Sequence, residues 1–112
     1  MKADDLKRQW IDAAKYADKV GKREPHLSES VGRVHRVDVT TEICHQESPS
    51  AQNYWKDTNF DAALDEVIKR RFRDLADEAL SLMRKRYEDA LRAEKDQLLA
   101  RLAEIQAIEE QQ

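Results

Sequence analysis

Apolar residues recur at steps of three and four along two stretches of this chain and at steps of two along one, and these patterns lay out its elements. Leu6, Trp10, Ala13, Ala14 and Ala17 form one stripe, predicting a helix from about Ala3 to Val20. Gly21 and Pro25 end it, and the polar run from Lys22 to Ser30 reads as a loop because proline restricts the residue before it. Between Val31 and His45, Val37, Val39, Thr41 and Ile43 alternate with Asp38, Thr40, Glu42 and Cys44, the pattern of a strand. A lone strand leaves its backbone groups unpaired, so it needs a neighbour: a return near Leu27 to Val31 around Gly32, a second subunit, or another protein. Gln46 to Asp57 reads as loop, broken at Ser48-Pro49-Ser50 and pinned to the core by Tyr54 and Trp55.

Thr58-Asn59-Phe60-Asp61 resembles a helix cap, with Thr58 accepting from first-turn amides and Asp61 at the positive end of the dipole. From there the chain holds no Gly or Pro and is dense in Ala, Leu, Glu, Lys and Arg, predicting one long helix. About fifty residues of helix span on the order of 75 Å, more than the rest of this chain can cover. Leu80, Leu91 and Leu102 fall eleven apart, as do Ala76, Tyr87 and Leu98, and Ile68, Ala79 and Ala90. The series Phe72, Met83, Glu94, Ile105 breaks once. A repeat of about 3.67 residues per turn suits nearly straight or slightly right-handed helix pairing. Charges from Arg84 to Asp96 weaken the stripe and mark a place for a bend near 84–96. The residues expected to bury against a partner helix are Leu64, Ile68, Phe72, Leu75, Ala79, Leu80, Met83, Tyr87, Leu91, Leu98, Leu102 and Ile105.

The expected fold is therefore mainly α with a small β segment. It comprises a short N-terminal helix, a central strand or hairpin, and a long C-terminal helix forming an oligomeric pairing. Residues 1–57 would make a small α+β region and 58–112 the oligomerisation helix.

Charged residues make up 38% of the 112 and apolar ones 40%, which leaves a modest core. The net charge of -3 argues against a chain-wide polyanion binder but permits local basic patches. Cys44 is the only cysteine, Met1-Lys2-Ala3-Asp4-Asp5 lacks the apolar run of a secretory signal, and no stretch has the apolar length of a membrane span. A cytoplasmic, reducing setting without membrane attachment is the expectation.

Candidate chemistry is sparse. His35, Asp38, Glu42, Cys44, His45 and Glu47 are metal-ligand types, but their spacing matches no zinc pattern, and solvated strand residues are the simpler reading. Cys44 and His45 are strand neighbours projecting to opposite faces, so they do not make a nucleophile and base. Gly21 and Gly32 lie in different segments and form no phosphate loop. No cofactor, metal or enzymatic activity is expected. The basic clusters Lys69, Arg70, Arg71, Arg73 and Arg84, Lys85, Arg86 on a rigid helix could track phosphates, although nearby Asp65, Glu66, Asp74, Asp77 and Glu78 offset the first cluster. Lys22-Arg23 and Arg33 through Arg36 would add to it if they folded back beside that stretch. Of the aromatic residues, Trp10 is read as core, whereas Tyr54 and Trp55 are candidate anchors for another protein, together with Val37 and Val39 by strand addition.

Two functions follow as expectations. The first is a non-enzymatic interaction module, most simply a homodimer through its long helix, that binds or modulates another protein. In compactness, charge and its single long helix the chain resembles small accessory proteins of phages and mobile elements, which would imply an inhibitory or redirecting role. The second is a nucleic-acid-associated dimeric regulator or packaging factor using the basic clusters.

Overall fold

The computed structural model describes residues 2–20 and 32–111. Its elements are α1 (Ala3–Ala17), extended by a single 3-10 turn at Asp18–Val20, strands β1 (Ile43–Ser48) and β2 (Ala51–Trp55), and helices α2 (Thr58–Arg70) and α3 (Phe72–Glu110). The chain is mainly helical, with one small antiparallel sheet, a short N-terminal helix and a long C-terminal one. It divides into two compact units, Met1–Lys19 with Ala76–Gln112, and Val20–Leu75.

In the first unit α1 lies antiparallel to α3. The Ala3 N–H donates to Glu94 Oε1 at 2.8 Å, while Trp10, two turns on, stacks on Tyr87 with ring centres 6.2 Å apart. Lys7 Nζ stands 5.9 Å from the Tyr87 ring centre and the Arg84 guanidinium 5.7 Å from that of Trp10, so both aromatic faces also carry a cation. No side chain caps α1 at Lys2, and the Glu94 carboxylate takes that role, a negative charge at the positive helix end. On α3 the positions withdrawn from solvent, Ala76, Leu80, Met83, Tyr87, Ala90 and Glu94, follow steps of four and three, the spacing of one helix face. Ala3, Ala17 and Ala76 are buried, small side chains that let helices approach closely. Thus α1 itself covers this face of α3 as far as Glu94. From Lys95 to Glu110 every residue is exposed.

In the second unit the alternating segment is extended but is not a strand. Val37, Val39 and Thr41 are half-buried and Asp38, Thr40 and Glu42 exposed, the alternation expected, yet the face is read by helix α2. The Val39 N–H donates to Asp65 Oδ1 at 2.9 Å and the Thr41 N–H to both Asp61 oxygens at 3.3 Å, with the Thr41 hydroxyl donating to Asp61 Oδ1 as well. Asp61 and Asp65 sit four apart and so face the same way, which lets one helix supply acceptors to alternate amides of an extended chain. Asp61 is accordingly buried, 8% exposed, rather than serving the helix dipole at the surface.

The sheet lies one step further along. β1 pairs with β2 from Ile43↔Trp55 to Ser48↔Ala51 around Pro49-Ser50, with an irregularity between Gln46 and Ser48. The segment read as loop thus contains a strand and a half of hairpin, because Ser48-Pro49-Ser50 is a turn between strands rather than an end to structure. The expected return near Leu27 to Val31 and the Lys22–Arg23 loop lie outside the described residues. α2 is capped by Asp57, whose Oδ1 accepts the Phe60 N–H at 2.9 Å, one residue before the expected Thr58. The helical run is interrupted once, at Arg71 (φ -101°, ψ 18°), while α3 is continuous helix through 84–96. Helical hydrogen bonds flank the interruption, from the Arg71 N–H to the Val67 carbonyl and from the Leu75 N–H to the Arg71 carbonyl, both 3.0 Å.

Candidate functional site

Three surfaces combine chemistry with exposure. The first is the far half of α3. Leu91, Leu98, Leu102 and Ile105 fall at steps of seven, four and three and are all exposed, Leu98 by 71% and Leu102 by 50%. At about 100° per residue they lie within about 40° of the face that α1 covers, so one apolar stripe continues past the end of its cover. Leu99 and Ile108, not among the residues singled out in the sequence, flank it and are also exposed. The expected interface residues thus separate. Leu80, Met83 and Tyr87 are half-buried alongside α1, Leu64, Ile68, Phe72 and Leu75 are half-buried in the second unit, Ala79 is exposed, and Leu91 to Ile105 stand open.

The second surface is the hairpin. Every residue from Ile43 to Trp55 except Ser48 is exposed, and the cross-strand pair Ile43 and Trp55 continues onto exposed Phe60 to enclose a shallow cleft with Thr41, Lys56 and Asp57. His45 stacks on the Trp55 indole with ring centres 5.1 Å apart, and the Tyr54 hydroxyl donates to Gln52 Oε1 at 2.7 Å, so both aromatics are held in place without being buried. Of the four candidate partner-binding residues, Tyr54 and Trp55 are presented, whereas Val37 and Val39 are half-buried and the Val39 N–H is taken by Asp65 of α2.

The third is a cleft of 580 Å³ in the second unit. Its exposed members include Arg33, His35, Lys69 and Arg70, and its half-buried ones are Val20, Val34, Phe72 and Arg73. Arg33 of the extended segment therefore lines the same cleft as the cations at the α2–α3 junction. Arg73 donates to the Val20 carbonyl at 3.1 Å and ties one wall together. Among the described residues no Asp or Glu lines this cleft. Asp65, a neighbour in sequence, is engaged by the Val39 amide instead. Arg71 is exposed at the helix break and is not part of the lining. In the other unit Arg84 pairs with Glu88 at 2.9 Å, and Lys85 and Arg86 are exposed. The meeting of Arg33 with Lys69 and Arg70 was foreshadowed only as a condition, since no local pattern states what an extended segment packs against.

Among the described residues, no three His, Cys, Asp or Glu side chains converge as a metal ion would require, and Cys44 is an exposed free thiol. No described helix is long and apolar enough to cross a membrane. Compared with protein-family models, curated proteins and solved structures, the chain matches none.

Proposed function

We propose that this chain is a non-enzymatic interaction module that pairs with a second copy of itself through the far half of α3 and presents its hairpin to another protein. The observation that carries this reading is the apolar stripe Leu91, Leu98, Leu102, Ile105, which runs on where α1 ends and is left in water. Exposed leucines at coiled-coil spacing gain most from a helix bearing the same stripe.

Charge selects the orientation. Lys95 and Glu109 fall in line with the stripe, at steps of three and four from Leu98 and Ile105. Parallel pairing in register would set each beside its own copy, an unfavourable contact between like charges. Antiparallel pairing about the Leu98 to Leu102 stretch turns Lys95, the cation in line with the stripe between Glu94 and Asp96, toward the acidic end, Glu104, Glu109 and Glu110, of the second copy. The same arrangement brings that acidic end toward Lys2 and the open cleft it forms with Ala90, Ala93, Glu94 and Gln97, in line with α1. The exposed Ile43, Trp55 and Phe60 face of the hairpin is then the surface offered to another protein, as aromatic anchors commonly are.

Sedimentation equilibrium tests the pairing, and a spin label at exposed Gln111 in a Cys44→Ser background tests its direction. An antiparallel dimer separates the two labels by about 30 Å, from 1.5 Å per residue on either side of the centre. Labels within about 15 Å would reverse the orientation, and a mass of 13.1 kDa at every concentration would remove the pairing altogether.

A further inference from the structure

We infer that the basic cleft of the second unit binds single-stranded nucleic acid, holding phosphodiester groups on Arg33, Lys69 and Arg70 and a splayed base against Phe72 and Val34. Lys69 and Arg70 have an ordinary structural role, since they close the last turn of α2, where cations complement the negative end of the dipole. That role does not account for Arg33, which arrives from a separate extended segment and lines the same cleft. Nor does it account for the lining's composition. In a chain of net charge -3, whose acids stand next to these cations in sequence, the described residues lining this cleft contribute Arg, Lys and His and no carboxylate.

The shape narrows the ligand. Arg33, Lys69 and Arg70 stand exposed while Val20, Val34, Phe72 and Arg73 are half-buried, so the cleft combines three exposed cations with apolar surface that includes one aromatic ring. A volume of 580 Å³ is that of a small-ligand pocket, room enough for a base and its flanking phosphates. A duplex keeps its bases paired inside and offers a phosphate surface only, leaving the ring idle, whereas an unpaired strand supplies both phosphate and a stackable face. A peptide of acidic residues alone, such as polyglutamate, would use the cations but likewise has nothing for the ring.

Fluorescence anisotropy with end-labelled twelve-residue oligo(dT) and oligo(U) tests this, with a duplex of the same length and polyglutamate as competitors. Three neutralised phosphates predict a slope of about -2 for the logarithm of affinity against the logarithm of salt concentration. Arg33→Glu is expected to weaken binding by at least about tenfold, and Phe72→Leu by about tenfold with the salt slope unchanged, because it removes stacking and no charge. Circular dichroism of each variant checks that the helices remain, and His35→Ala provides a milder change in the same cleft with a smaller expected loss. The inference is overturned if no binding occurs at 50 mM salt, if Arg33→Glu binds as the parent does, or if duplex or polyglutamate competes as well as the single strand. Preference for deoxyribose or ribose among tight binders supports the inference and names the strand.

Discussion

Truncating Leu98 to alanine is the sharpest test of the exposed stripe. The change removes about three methylene equivalents, worth about 2.4 kcal/mol if fully buried at ~0.8 kcal/mol each. Leu98 is 71% exposed in the single chain, so roughly 1.7 kcal/mol of that is available to a partner. A two-fold dimer contains the site twice, which brings the loss to about 3 kcal/mol, or a dissociation constant raised by two to three powers of ten. Leu82→Ala is the matched control. Leu82 is 49% exposed, a similar side chain in a similar state, but it projects about 200° around α3 from Leu98 and so lies off the stripe. Sedimentation equilibrium over a wide concentration range reads both constants directly. If Leu98→Ala and Leu82→Ala shift the dimer equilibrium equally, or neither shifts it, the stripe is not the pairing surface.

Three further outcomes follow from contacts within the chain. Asp61→Ala strands the Thr41 amide and hydroxyl at a part-buried site and is expected to cost about 2 to 3 kcal/mol in urea denaturation, with Asp61→Asn recovering roughly half; a cost below 0.5 kcal/mol would mean that these bonds hold nothing together. Trp10→Ala removes the ring that stacks on Tyr87 and carries the Arg84 guanidinium, and is expected to lower stability by about 2 kcal/mol, less than a full core truncation because Trp10 is half-buried; an unchanged urea midpoint would contradict the packing of α1 on α3. Asp57→Ala deletes the α2 cap at a cost of about 1 kcal/mol, and hydrogen exchange at the Phe60 amide should quicken, whereas Thr58→Ala should change it little.

What was legible in the amino-acid sequence was what depends on neighbours three or four residues away. Leu6, Trp10 and Ala17 announce α1, and the Gly-free and Pro-free run after Asp57 announces the long helices, because a helix is closed by its own hydrogen bonds and shows its buried face as a local period. The alternation of Val37, Val39 and Thr41 was equally legible but predicts a strand, whereas this stretch is half-buried and extended and the strand begins only at Ile43. Its covering was not legible, since the same period serves a sheet neighbour or a helix such as α2 offering Asp61 and Asp65. The break at Arg71 carries no Gly or Pro and so left no local mark. Only the tertiary structure decided that α1 shields α3 as far as Glu94 and no further, that Arg33 joins Lys69 and Arg70, and that the hairpin forms around Pro49-Ser50. The first two join residues from 36 to 91 positions apart and the hairpin joins residues up to 12 apart; each is chosen by which apolar and charged surfaces can be satisfied together, and such a choice is made by the folded chain as a whole.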